Sequence, residues 1–210
     1  MSERDLSEFD LINPTESHSM LREMVRDFVE KKVELQALEH DKNEKFNLNL
    51  FRELGEMGLL GLTVPEEYGG SGLDTVSTII VHEELSSSDP AFTLSFLAHS
   101  MLTANNLSFN GSEEQKQRFL PGLCSGDLIG CMAMSEPDYG SDVMGMQTSA
   151  KLNSEGNWVI NGNKMWITNG PDAHTFIIYA KTGLDANAKS ITAFILEHTF
   201  EGFSRNQKLD

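Results

Sequence analysis

Basic residues are scarce in this chain: 16 lysines and arginines stand against 32 aspartates and glutamates, for a formal charge of −16 over 210 residues. That balance argues against nucleic acid or an anionic membrane surface as partner. Cysteine is scarcer still. Cys124 and Cys131 form no CxxC pair, and they read as buried or free thiols in a reducing compartment rather than as a disulfide or a metal site. No apolar run approaches the length needed to span a bilayer, so no membrane insertion is expected. The start of the chain, Met1-Ser-Glu-Arg-Asp-Leu-Ser-Glu8, is acidic and has neither a signal peptide nor an Arg-rich transit segment; as written, the chain is expected in the cytoplasm. The six histidines show neither HxxxH nor HExxH spacing, and no metal site is predicted. A GxGxxG turn after a strand is absent, which argues against a nicotinamide-binding Rossmann domain. Ser141, in Gly-Ser-Asp, lacks the GxSxG elbow of a hydrolase.

What remains is the composition of a soluble globular protein, long enough for one large domain or two small ones. The first part reads as helical. Pro14-Thr-Glu-Ser opens a helix whose stripe is Met20, Leu21, Met24, Val25, Phe28 and Val29. A second stripe, Leu50, Leu54 and Met57, ends near Gly58 and Gly61. After the glycine-rich loop 64–72, the spacing predicts a helix from about Asp74 to Leu85. Ala91 to Leu107 is apolar and rich in small residues, as a buried helix requires, and Ser112-Glu-Glu-Gln115 is a capping box for another running towards Pro121.

Beyond Gly126 the period changes. Segments 129–134, 148–152, 158–160, 165–168, 175–181 and 191–196 read as strands between turns, and such a succession predicts an antiparallel, barrel-like β-domain. The chain is thus expected to be α+β: a helical domain over 1–126, then a β-domain over 127–210.

Two segments carry the chemistry. In Ala133-Met-Ser-Glu-Pro-Asp-Tyr-Gly-Ser-Asp-Val143, Pro137 drives Glu136 away from helical geometry and turns the chain out of a strand. Gly140-Ser141-Asp142 then offers a permissive backbone and a hydroxyl where a ligand can approach. In Asn161-Gly-Asn-Lys-Met-Trp-Ile-Thr-Asn-Gly170, turn signals flank an alternating stretch with Trp166 and Thr168 on one face. An indole above a flat redox-active ring and a hydroxyl at its edge is one arrangement this spacing allows. An ordinary β-domain with Trp166 in its core is the plain alternative for either segment alone.

Together, in this order and wording, the segments resemble the flavin-binding signature of the acyl-CoA dehydrogenase family, and the likeness extends over essentially the whole chain. Leu94-Ser-Phe-Leu-Ala-His-Ser100 and Trp166-Ile-Thr-Asn-Gly-Pro-Asp172 bring it nearest to members acting on short branched acyl-CoA, isovaleryl-CoA of leucine catabolism in particular. The resemblance implies FAD as cofactor, α,β-dehydrogenation as the reaction, an acyl-CoA substrate and an electron-transferring flavoprotein as electron acceptor. It also implies a mitochondrial matrix location in a eukaryote and homo-oligomers, usually tetramers. Met132, Ala133, Met134 and Ser135 then hydrogen-bond the flavin, Gly140 and Ser141 follow the turn, and Ser141 reaches the CoA moiety. Trp166 packs on the isoalloxazine, with Ile167 beside it and Thr168 near the reactive nitrogen. Phe96 and Ser100 shape the acyl pocket. Asp138-Tyr139 departs from the family's small residues after Glu-Pro.

Lys189 stands where branched-chain members carry a Ser-Arg pair against CoA; it serves as a point charge for phosphate or as a surface lysine between strands. The excess of negative charge means that local groups must hold the CoA phosphates. Glu66-Glu67, Glu83-Glu84 and Glu113-Glu114 point to different helix faces and read as solvated positions or caps. His99 reads as a satisfied core histidine. No residue is assigned as the catalytic base, since the family's glutamate lies in a C-terminal helical domain expected beyond Asp210. The chain is therefore expected to be a fragment without its base. Another short-chain acyl-CoA dehydrogenase, an acyl-CoA oxidase, and a non-catalytic flavin-binding or assembly module are the alternatives.

Overall fold

Local side-chain chemistry sets most of the helix starts in the computed structural model, which describes residues 10, 12–183 and 190–205. Thr15 accepts the amide of His18 and opens α1, Glu16–Phe28. A π-helical turn, Val29–Val33, carries the chain into α2, Glu34–Lys42, and Asn47 caps α3, Leu48–Glu56. Asp74 accepts from the Ser77 amide and starts α4, Thr75–Ser86. Asp89 caps α5, Pro90–His99, with Pro90 at a first-turn position that needs no N–H. A second π-helical turn, Ser100–Asn105, leads to α6, Asn106–Asn110. Ser112 and Gln115 form the reciprocal capping box at the head of α7, Glu113–Ser125, which continues through Pro121. No described helix is long and apolar enough to cross a membrane.

The strands are β1, Gly130–Ala133; β2, Ser149–Leu152; β3, Trp158–Asn161; β4, Thr175–Lys181; and β5, Ile191–Glu197. They form one five-stranded sheet in which β1, β4, β2 and β3 lie in that order and β5 also pairs with β4. The expected antiparallel arrangement is not what forms. The β2–β3 and β4–β5 pairs are antiparallel, but β4 runs parallel to β1, with Gly130 opposite Thr175, and parallel to β2. The sheet is mixed. Alternation of side chains tells which face each residue occupies, not the direction of the neighbouring strand. The strand expected over 165–168 is also absent. Trp166 has φ 63° and Asn169 φ 65°, which breaks the pleat and makes 162–174 a connection into β4.

The helices and the sheet share a core. Val25, Phe51, Leu54, Leu85, Phe92 and Phe96 from the helices join Ile129, Cys131 and Phe176 in one buried cluster. The first strand therefore leaves the helical layer already packed against it, and this places the end of β1 beside the connection 162–174.

Candidate functional site

β1 ends at Ala133, which is buried, while Met132, Met134 and Ser135 are half-buried. The chain then makes a tight turn. The Glu136 amide donates to the Tyr139 carbonyl at 3.0 Å and the Tyr139 amide to the Glu136 carbonyl at 3.1 Å. The bulky Asp138-Tyr139 pair is accommodated by Gly145. A Cβ added there would lie 2.4 Å from the Tyr139 ring, so the phenol sits where only glycine leaves room. Gly140 and Ser141 are exposed beyond the turn.

The second segment meets the first directly. The Met165 amide donates to the Ser135 carbonyl at 3.0 Å. Lys164 Nζ donates to the Met134 carbonyl at 2.9 Å and to Glu136 Oε1 at 2.9 Å. Glu136 is buried and also accepts the amides of Gln147 at 2.6 Å and Thr148 at 2.9 Å. Burial alone pushes the carboxyl's pKa up, but these donors outweigh it and hold it at about 2. Burial likewise pulls the Lys164 ammonium below the ordinary lysine value, against the opposing pull of Glu136. The carboxylate, with more donors converging on it, is the better compensated partner.

Past this junction the chain turns through Trp166. Its indole is 63% exposed, which is unusual for so large an apolar group and leaves its face free for a flat partner. Ile167 packs against the core and Thr168 is half-buried. The structure thus brings Met134 and Ser135 together with Lys164 and Met165, immediately before Trp166. Apart from Ala133, each residue expected to face a flavin reaches the surface. An exposed indole beside hydroxyls and strand-end main chain fits a planar heteroaromatic ring.

On the helical side, an open apolar cavity of about 800 Å³ lies along α4 and α5, lined by Val76, Ile79, His82, Thr93, Leu97 and Met101 among others. Phe96 is fully buried, with its ring 4.8 Å from that of His82, and the Ser100 hydroxyl donates to the Phe96 carbonyl at 2.8 Å. Both lie behind the α5 face that Thr93 and Leu97 present. Lys189 lies outside the described residues.

Sequence reasoning gave no role to Glu136, Lys164 or Asn169. The available signal was that Lys164 is the one charged side chain of the second quoted segment, facing a first segment whose charges, Glu136, Asp138 and Asp142, are all negative.

Residues 15–127 match the family model for the acyl-CoA dehydrogenase N-terminal domain, and residues 131–210 that for the middle domain. The chain is 46% identical over 197 residues to mitochondrial isovaleryl-CoA dehydrogenase of Solanum tuberosum, covering 93% of this chain and 48% of that protein. It is 44% identical to 2-methylacyl-CoA dehydrogenase of the same plant, again over 93% of this chain and 48% of the relative. Among solved structures, the acyl-CoA dehydrogenase of Bacillus anthracis complexed with FAD superposes with a TM-score of 0.88 at 36% identity, over 100% of this chain and 35% of that one. Butyryl-CoA dehydrogenase of Megasphaera elsdenii gives 0.87 at 35% identity, over 97% and 53% of the two chains. The chain spans about half the length of the curated relatives it matches.

Proposed function

Because the chain belongs to the acyl-CoA dehydrogenase family, we propose that it supplies the flavin-facing and acyl-facing parts of an enzyme that dehydrogenates a short branched acyl-CoA between its α and β carbons. Its two domains are 1–126 and 127–210. FAD, when bound, provides the two-electron acceptor for this oxidation. The protein's share is to bind, orient and exclude water.

Main-chain groups of Met132, Ala133 and Met134, with Ser135, hold the ring edge; Trp166 and Ile167 cover a face, and Thr168 donates near the reacting side. Gly140 and Ser141 lie toward the CoA arm. Lys189 acts as a point charge for a phosphate, which a chain of charge −16 would otherwise repel. Phe96 and Ser100 support the α5 wall behind Leu97. The branched acyl group is favoured by the isovaleryl- and 2-methylacyl-CoA relatives. No residue of the chain is assigned as base. An electron-transferring flavoprotein as acceptor and assembly into homo-oligomers belong to the same proposal, as does a mitochondrial matrix location in a eukaryote, which the mitochondrial relatives support.

The observation that carries this reading is the junction of the two signature segments through Lys164 and Met165, next to an exposed Trp166. The test is to titrate the purified chain with FAD, following flavin absorbance and tryptophan quenching, and then to add isovaleryl-CoA without oxygen. FAD binding, with a spectral change on adding isovaleryl-CoA larger than that for a straight-chain ester, is the expected result. A chain that takes up no FAD overturns the reading. Bleaching of the flavin would put a working base among these residues, against the assignment made here.

A further inference from the structure

Gly130, the first residue of β1, has both of its backbone groups held by side chains from elsewhere. Its amide donates to His99 Nδ1 at 3.0 Å, and its carbonyl accepts from Asn169 Nδ2 at 3.2 Å. The same Asn169 Nδ2 donates to the Ser95 carbonyl of α5 at 2.8 Å. His99 Nε2 lies 2.9 Å from the Leu123 carbonyl of α7. That acceptor requires the proton on Nε2 and leaves the Nδ1 lone pair for Gly130, so the tautomer is fixed by its partners. A Cβ on Gly130 would come 2.5 Å from Thr103 Cγ2, so the strand approaches the helical layer as closely as a glycine permits.

Asn169 sits in the left-handed region of backbone space. Its φ of 65° is one that glycine adopts without steric cost, and its buried Oδ1 has no hydrogen-bond partner. Reversing the amide would set that oxygen against the carbonyls of Ser95 and Gly130, so the orientation is determined. Three residues earlier, Trp166 is also left-handed, with its indole exposed. Two such residues in one short connection concentrate strain where a ring-facing group is presented. The helix that Asn169 grips through Ser95, and that ends in His99, is the one that sends Thr93 and Leu97 into the apolar cavity.

We propose that Asn169 and His99 are positioning residues which lock β1 and the Trp166 connection onto the cavity-lining helix α5, and so set the spacing between indole and cavity. The inference rests on the proposed function for its meaning, though not for its test.

The chain has two tryptophans, so a Trp158→Phe background leaves Trp166 as the only indole. In that background, fluorescence anisotropy, FAD quenching and thermal melting are compared for the parent, Asn169→Gly and Asn169→Asp. Glycine accepts the left-handed backbone, so Asn169→Gly is expected to fold, with a melting temperature lowered by the loss of the two amide hydrogen bonds. Its indole anisotropy should fall, and loss of the two amide hydrogen bonds should weaken FAD binding by roughly tenfold. Asn169→Asp sets a carboxylate oxygen against two carbonyls and should lower anisotropy further; should it fail to fold, Asn169→Gly decides. Unchanged anisotropy and unchanged quenching in Asn169→Gly overturn the proposal. If the parent itself is not quenched by FAD, the proposed function falls, while the anisotropy comparison still decides the role of Asn169. His99→Leu, which keeps neither the donor to Leu123 nor the acceptor for Gly130, is expected to reproduce the anisotropy loss.

Discussion

Lys164 Nζ lies 2.9 Å from Glu136 Oε1, with the lysine side chain 7% and the glutamate 4% exposed. The two residues belong to the two segments that carry the family signature, and no other ion pair described in the sheet region is so deeply buried. A buried pair of this kind gains little over apolar packing, yet breaking it by removing one partner leaves a charge that cannot reach water.

Lys164→Met is therefore expected to cost about 3–5 kcal/mol, because Glu136 then has no cationic partner and keeps only the neutral donors of Gln147 and Thr148. The double variant Glu136→Gln with Lys164→Met removes both charges and is expected to be more stable than Lys164→Met alone. Chemical denaturation of the parent, both singles and the double gives the coupling. A double variant that loses the simple sum of the two singles would show that the charges do not support one another.

Acid is expected to act in two windows. The His99 imidazole, wholly buried, is pulled by desolvation to about 4 from 6.5, despite its hydrogen bond to Leu123. A depressed histidine stays neutral in the folded state while the unfolded chain takes up a proton. Stability is therefore full above 6.5 and falls as the pH drops toward about 4, by on the order of 3 kcal/mol. Glu136, held at about 2 against an ordinary 4.5, adds its own loss as the pH falls from about 4.5 towards about 2. Denaturation midpoints measured against pH for the parent and His99→Gln should diverge in slope only in the upper window, and those for Glu136→Gln only in the lower. Parallel curves for parent and His99→Gln between pH 6.5 and 4 would contradict the assignment.

A third prediction concerns the seam between α1 and α4. The buried Glu84 carboxylate accepts from Arg22 and, at 2.9 and 2.8 Å, from Arg26 Nε and Nη2. The Arg26 hydrogen bonds lower its pKa most; burial opposes them and Arg22 assists. Arg22 is also buried, with Glu83 as a second partner at 2.8 Å. Glu84→Ala is expected to cost about 3 kcal/mol, at the lower end for a broken buried pair because Glu83 remains. Arg26 is more than half exposed, so Arg26→Ala should cost under about 1 kcal/mol. Equal losses for the two variants in urea denaturation would argue against this division.

The parts of the fold that were legible in the sequence are those set by residues near one another. Thr15, Asp74 and the Ser112–Gln115 pair start helices through contacts three residues long, and the text carries them. β4 was legible as a strand between turns, whereas its parallel pairing with β1, Gly130 opposite Thr175, joins residues separated by β2 and β3. The Glu136–Lys164 pair joins residues 28 apart, and no local pattern announces it. α5 is apolar nearly all round, so the family resemblance pointed to Phe96 and the adjoining Ser100 while nothing in the pattern revealed that Thr93 and Leu97 face the cavity. The expected strand through Trp166 failed because alternation was taken as sufficient, where two left-handed residues override it.

The last prediction tests how β3 hands the chain to the signature connection. A Cβ on Gly162 would lie 2.3 Å from Thr148 Oγ1, 2.7 Å from its Cβ and 2.6 Å from its Cα. Thr148 is the residue whose amide donates to Glu136 and whose carbonyl accepts from Lys181 at 2.8 Å, so it is tied on both sides and cannot retreat cheaply. Gly162→Ala is expected to cost about 1–3 kcal/mol through this overpacking and to loosen the Thr148–Glu136 hydrogen bond. The Thr148 side chain is buried and helps hold the Glu136 carboxylate ionised, so Thr148→Ala alone should cost about 1 kcal/mol. It also provides the control. Removing Oγ1 clears only one of the three close approaches and leaves the backbone Cα in place, so Thr148→Ala should not rescue Gly162→Ala. Full recovery in the double variant would locate the clash at the hydroxyl and show that the backbone of β2 yields. Failure to recover, with FAD quenching weakened in step, would tie the spacing of β2 and the 162–170 connection to the site that Glu136 and Lys164 hold together.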